Sequence, residues 1–272
     1  MTGLKEDETS IERLTTSDFW DSCYKGRELT PFSDADWRNQ TSIQLSRLIA
    51  SLKLEGKYIC EVGGGGAELV AYFAKRYPGS RFSIIDFSPL GCELARKRAR
   101  CEDVDIDIYQ EDVFTPPDSL VGTFDLVISH GVVEHFLDLS DVMRAKSQLV
   151  RSDGQLFTLI PNLASPIYSG LCRRWSKTVY EDHIPHNMSS FLDGHMKAGL
   201  KVVSQGYLGS VEFGILSMAM QGPEPKSQLD QWMYLWLTRF SKIVHLAEYK
   251  FRDFPTSHLL SPFIYAVSKK DL

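Results

Sequence analysis

The chain has 272 residues, of which 43% are hydrophobic and 24% charged, with a formal net charge of -5. That length supports one large domain or a domain carrying insertions, and the ordinary apolar content excludes a largely disordered chain. The acidic balance argues against a surface built to hold a nucleic-acid backbone, and no window approaches the roughly 20 apolar residues of a membrane span.

The first residues, Met1 to Glu8, are polar and acidic and lack the apolar centre of a signal peptide. Cys23, Cys60, Cys92, Cys101 and Cys172 are scattered, with no C-x-x-C pair, and read as reduced thiols in a cytoplasmic protein. Residues 10–55 carry helical patterns through Trp20, Tyr24, Trp37, Ile43, Leu48 and Leu52, with turn chemistry at Thr30-Pro31 and Ser33-Asp34. Residues 1–55 are therefore expected to form a helical cap, and 56–272 one domain with insertions at 161–190 and 212–258.

Apolar runs of strand length then alternate with helical patterns: 57–62 and 67–76, 81–86 and 89–100, 105–109, 124–129 and 138–150, and 154–160. Such alternation predicts an α/β fold, a doubly wound parallel sheet. Residues 161–190 read as a long irregular connection holding Tyr168, Trp175, Tyr180, His183 and His186, and long connections with such side chains are usually functional. A helix near 189–198 and a strand near 201–207 follow, and the last strand is expected at Pro262 to Val267.

Between them, residues 226–248 predict a helix with Leu229, Trp232, Met233, Trp236, Leu237, Phe240, Ile243, Val244 and Ala247 at amphipathic spacing. Packing on the core is the leading expectation for that stripe, with a homodimer interface or a substrate lid as alternatives. Membrane-surface binding ranks below these, because the polar face mixes Asp230, Lys242, His245 and Glu248.

Chemistry is expected at the carboxyl ends of the strands. The first strand runs through Glu61 into Gly63, Gly64, Gly65 and Gly66, a turn that lets a ligand approach the main chain. Asp86 ends the second strand, placed to accept hydrogen bonds from ribose hydroxyls, with Phe87 and Ser88 beside it. After the third strand, Asp112 and the Val113 N–H suit an adenine edge. The fourth ends in Ser129, His130 and Gly131, followed by Glu134 and His135, a convergence that raises a metal site but shows no third ligand at close spacing.

Taken together, Glu61-Val62-Gly63-Gly64-Gly65-Gly66, Asp86, Glu111-Asp112-Val113 and Phe124 to Ser129 resemble the four cofactor motifs of class I S-adenosylmethionine-dependent methyltransferases. The resemblance covers residues 55–165 and extends to the closing strand pair. It implies a Rossmann-like, seven-stranded sheet with an antiparallel last strand and a helical insertion before it. S-adenosyl-L-methionine would lie with its methionine on Glu61 to Gly65 and its ribose on Asp86. Its adenine would sit near Phe87, Asp112 and Val113, and its sulfonium near Ser129, His130 and Gly131; S-adenosyl-L-homocysteine would be the product. Ala67 stands where the family commonly has a third spaced glycine.

Val133-Glu134-His135-Phe136 resembles small-molecule O- and N-methyltransferases, and the Asn/Asp-Pro-Pro-aromatic clamp of base and glutamine methyltransferases is absent. Gly131 replaces the acid found in metal-dependent quinone-precursor relatives, so no metal is expected. The methyl would pass to oxygen or nitrogen, less readily carbon, by in-line displacement. His186 and His183 are the candidate bases, with His130 and His135 behind them, and Glu134, His135, Tyr168, Trp175 and Tyr180 are candidate acceptor contacts. Tyr24 is placed to close over the cofactor, and Arg173-Arg174 to meet an anionic acceptor. Two alternatives stay open. An NAD(P)-dependent oxidoreductase shares the strand, glycines and acid, but its third glycine would fall on Glu68 or Leu69. A non-catalytic methyltransferase-like subunit would bind a partner through Trp232 and Trp236.

Overall fold

The computed structural model describes residues 12–30, 32 and 36–270; the expected turn residues Pro31, Ser33 and Asp34 and the acidic start lie outside them. α1 (Ser17–Tyr24) begins where the Thr16 side chain accepts the Phe19 N–H, and α2 (Gln40–Ala50) follows a 3-10 turn at Trp37–Asn39. Next come β1 (Tyr58–Val62), α3 (Glu68–Arg76), β2 (Arg81–Ile85), α4 (Pro89–Glu102), β3 (Asp107–Tyr109), β4 (Phe124–His130), α5 (Leu139–Leu149) and β5 (Val150–Pro161). The sheet order is β3-β2-β1-β4-β5-β7-β6, completed by β6 (Leu200–Leu208) and β7 (Phe263–Lys270). β7 runs antiparallel to both neighbours, as the resemblance implied.

The pleat distributes the strands between two cores. On β4, Val127 faces one layer while Leu126 and Ile128 face the other, the alternation that a sheet covered on both sides requires. α5 closes the first layer with Val142, Met143 and Leu149, joined by Phe191. α2, α3 and α4 close the second with Ile49, Phe73 and Ala95.

The stretch 161–190 is not irregular. It folds into α6 (Pro166–Trp175), started by the Ser165 cap with Pro166 in the first turn, and α7 (Lys177–Glu181), before α8 (Met188–Lys197). Local capping chemistry thus built helices where the apolar spacing was too short to read. Together with 213–216, α9 (Ser217–Gln221) and α10 (Gln228–Lys250), they make a third core around Tyr168, Cys172, Trp175 and Phe213. The expected stripe of α10 divides. Met233, Leu237 and Val244 pack on this core, whereas Trp232, Trp236, Phe240 and Ile243 are exposed.

Gly194 of α8 lies where an added Cβ would strike the Leu139 side chain at Cγ and Cδ2 and press its Cβ. Overpacking costs typically ~1–3 kcal/mol against a helix-propensity gain of about 1 kcal/mol. Gly194→Ala is therefore expected to lower the urea midpoint of unfolding, and a raised midpoint would contradict this close α5–α8 approach.

Candidate cofactor and acceptor site

Strand order reverses between β1 and β4, so their carboxyl ends and the turns beyond them frame a crevice. Gly63 turns with φ +72, its N–H donating to Ile85 O at 2.8 Å, and a Cβ there would strike Val132. A Cβ on Gly65 would meet the Tyr24 hydroxyl and the Asp86 carboxylate. Asp86 accepts the Gly65 N–H through Oδ2 and the Ser88 N–H through Oδ1, each at 2.8 Å. Burial outweighs those two bonds and lifts its carboxyl to about 6. Glu61 rises to about 8, through burial first and then the neighbouring Glu68 and Asp86 charges. One of its oxygens takes the Val70 N–H in the first turn of α3, while Oε2 is buried without a partner. This capping explains Ala67: it heads α3 in the left-handed region at φ 50, offers no side-chain cap, and has its methyl buried in the second core layer. A cradle of close glycines ending in an unsatisfied buried acid fits a ligand with a cationic end.

At the far end, Arg13 Nη2 pairs with Asp112 Oδ2 at 2.6 Å, and its guanidinium lies 5.4 Å from the ring centres of Phe87 and Phe114. Val113 points into the first core layer. Only about 60 Å3 remains open between Trp20 and Tyr24 of α1 and the wall of Gly63, Asp86, Phe87 and Gly131. A nucleoside needs several times that room, so α1 and Arg13 must shift outward to admit one. Tyr24, expected to close over the cofactor, does border this cavity, whereas Arg13 and Trp20 were not expected in the site.

A second cavity of about 280 Å3 opens beyond it, lined by His130, Glu134 and His183 and by apolar side chains including Leu163, Cys172, Val179, Leu216 and Phe263. Trp20, Gly131 and His135 border both cavities. His135 and His183 each hold Nδ1 2.6 Å from a backbone carbonyl, of Asp182 and Val179, with their rings 4.4 Å apart. That geometry puts the proton on Nδ1 and leaves both Nε2 atoms as lone pairs. Burial drives His135 to about 3 and His130 to about 4, and lowers His183 as well. Glu134 rises to about 8, again by burial, and its Oε2 has no partner. One ligand atom from each of Glu134, His135 and His183 lies within 4.8 Å of the others. Two neutral imidazoles and a carboxylate suit a borderline divalent cation such as zinc. His183 is the donor that spacing along the chain did not reveal.

Residues 60–156 match the family described as Methyltransferase domain. A ubiquinone biosynthesis O-methyltransferase from Methylocella silvestris is 33% identical over 109 residues, covering 40% of this chain and 41% of that protein. One from Xanthomonas oryzae pv. oryzae is 29% identical over 115 residues, 42% and 47% of the two. The chain thus spans less than half the length of these relatives. Among solved structures, geranyl diphosphate C-methyltransferase from Streptomyces coelicolor, in complex with S-adenosyl-L-homocysteine, superposes with TM-score 0.57 at 12% identity, covering 94% of this chain and 97% of that one. The cyclase SpnF gives 0.62 at 14%, covering 95% and 98%. Residues 60–156 thus resemble a methyltransferase domain, and the solved structures, at 12–14% identity, share the fold. A cyclase among its fold neighbours means that the chemistry must be argued from the site.

Of the expected acceptor contacts, Glu134 and His135 line the second cavity, and the other three lie elsewhere. Tyr168 is buried with its hydroxyl bonded to Leu260 O at 2.7 Å, Trp175 is packed in the third core, and Tyr180 meets Arg173 on the surface. These three hold the insertion together and border neither cavity. His186 borders neither as well, its Nε2 buried without a partner. Ser129 turns inward to Lys146 Nζ at 2.7 Å, and burial lowers that ammonium to about 7. Aromatic content marked the insertion without saying which rings were cement. Imidazole NMR checks the site directly: His135 is expected as the Nδ1–H tautomer with no titration between pH 5 and 8. A midpoint inside that range would contradict its burial.

Proposed function

We propose that the chain is an S-adenosyl-L-methionine-dependent methyltransferase acting on an oxygen of a hydrophobic small molecule. One observation carries the reading: a glycine cradle tipped by buried Glu61 and Asp86 shares the Trp20, Gly131 and His135 wall with a larger apolar cavity. The match of residues 60–156 and the O-methyltransferase names of the curated relatives support it. A nitrogen acceptor would fit the polar end of the same cavity. Five unpaired cysteines suit a reducing compartment, and we assign the protein to the cytoplasm.

When bound, the cofactor supplies a methyl group made electrophilic by its sulfonium. Glu61 is set to receive the ammonium of its amino-acid end, Asp86 the ribose hydroxyls and Asp112 the adenine amino group once Arg13 withdraws. The apolar lining of the second cavity excludes water and holds the acceptor for a linear approach. His183, neutral with Nε2 free, takes the proton of the acceptor hydroxyl.

Glu61 gives this reading a pH signature. Burial keeps it protonated up to about 8, so pairing with an ammonium at lower pH releases a proton. Calorimetric affinity for S-adenosyl-L-homocysteine is expected to rise between pH 6 and 8, by up to about tenfold per unit for one proton released. Glu61→Gln should flatten that rise. Tight NAD binding without S-adenosyl-L-homocysteine binding overturns the proposal in favour of an oxidoreductase, and binding of neither favours a non-catalytic subunit.

A second reading follows from the Glu134, His135 and His183 donors: a divalent cation there would polarise the acceptor oxygen. His183→Ala should lower turnover by about a hundredfold in either reading, the usual scale for a lost base. Chelation separates them, since turnover that survives EDTA excludes the cation.

A further inference from the structure

α10 rests on the third core through Met233, Leu237 and Val244, yet carries a second apolar stripe outward. Its most buried residues are Asp230, Ser241, His245 and Glu248, all polar. Each is tied down: Asp230 to Arg174 Nε at 2.7 Å, Ser241 to Phe213 N at 3.0 Å, His245 Nε2 to Val211 O at 2.9 Å and Glu248 to Phe254 N at 3.0 Å. Meanwhile Leu229, Trp232, Trp236, Phe240 and Ile243 are 50–67% exposed. Their steps of three and four residues put them on one stripe. A helix held by polar tethers on its inner side keeps that stripe outward as a designed face.

The charges on this face have one sign. The helix contains two acids, Asp230 and Glu248, and both are turned inward. Arg239 and Lys250 are exposed on it, with the Arg239 guanidinium 5.7 Å from the Trp236 ring centre, and just beyond the helix Arg252 is exposed beside Asp253, which faces Arg47 at 3.7 Å. An apolar stripe with tryptophans and flanking cations matches an anionic lipid surface through these local charges, against the chain's overall net charge of -5. A second copy of the chain matches it poorly. A two-fold contact would pair this face with itself, and it offers Arg239 and Lys250 no carboxylate partner, because Asp230 and Glu248 are turned inward. No helix among the described residues is long and apolar enough to cross a membrane, so α10 would lie along the surface.

We propose that α10 docks the protein on anionic bilayers, with Trp232, Trp236, Phe240 and Ile243 entering the interfacial region and Arg239, Lys250 and Arg252 meeting lipid phosphates. This docking is independent of the catalytic reading, since its face lines neither cavity.

Vesicle flotation of the full chain tests it, using phosphatidylcholine vesicles with and without 30% phosphatidylglycerol, roughly the range that separates polybasic from neutral binding. At least about tenfold stronger partition to the anionic vesicles is expected, with a blue shift of tryptophan emission and weakening by salt. The Trp232→Ser, Trp236→Ser double variant should lose both signals, and Arg239→Glu with Lys250→Glu should lose the lipid preference. Thermal melts of these surface variants serve as the folding control. Absent or lipid-indifferent binding by the folded wild type overturns the proposal. So does a sedimenting dimer that the double tryptophan variant converts to monomer, which would assign the face to a second copy.

Discussion

The Asp86 carboxylate accepts the N–H of Gly65 through one oxygen and of Ser88 through the other, tying the turn after β1 to the turn after β2. Ser88 in turn caps α4 by accepting the Gly91 N–H and donates to Asp21 of α1 at 2.5 Å. α1 carries Trp20 and Tyr24, which roof the crevice. A single buried acid therefore sets the glycine turn, starts a helix and, through one serine, positions the lid over the cavity it serves. A bound ribose would compete for the same oxygens, coupling ligand entry to the hold on α1.

Burial then decides the charge state of nearly everything around that crevice. It raises Glu61 and Glu134 to about 8 and lowers His130 and His135 to about 4 and 3. Even Lys146 falls to about 7, anchored between Ser129 and Thr158. The interior avoids isolated charge by neutralising both acids and bases, because an unpaired ion in low dielectric costs far more than a proton gained or lost. What remains are imidazole lone pairs and the unsatisfied Glu134 carboxyl oxygen along the second cavity, with a second unsatisfied carboxyl oxygen on Glu61 beneath the glycine turn. Such a lining is poised to receive a cation, and the proposed cofactor carries one at its ammonium and another at its sulfonium.

The third core joins chemistry to location. Cys172 and Leu216, which line the second cavity, belong to the same cluster against which α10 rests through Met233 and Leu237. A cavity of apolar walls and a helix with an apolar outer face thus sit on one packed unit.

Alternating strand and helix periods made the doubly wound parallel sheet legible from residue order, because each βαβ unit is specified by neighbours within about 30 residues. The glycine turn, Asp86 and Asp112 were legible for the same reason, being fixed to strand ends. The fold-back of Arg13 and Trp20, the meeting of His183 with His135 and the diversion of Tyr168 and Trp175 into packing were not, since each depends on segments far apart in the chain. The stripe of α10 shows the difference most plainly. Its spacing declared an amphipathic helix, but only the tertiary structure decided which apolar positions are buried: Met233, Leu237 and Val244 meet the third core, while hydrogen bonds to Arg174, Phe213 and Val211 fix the rotation that leaves Trp232, Trp236 and Phe240 outward.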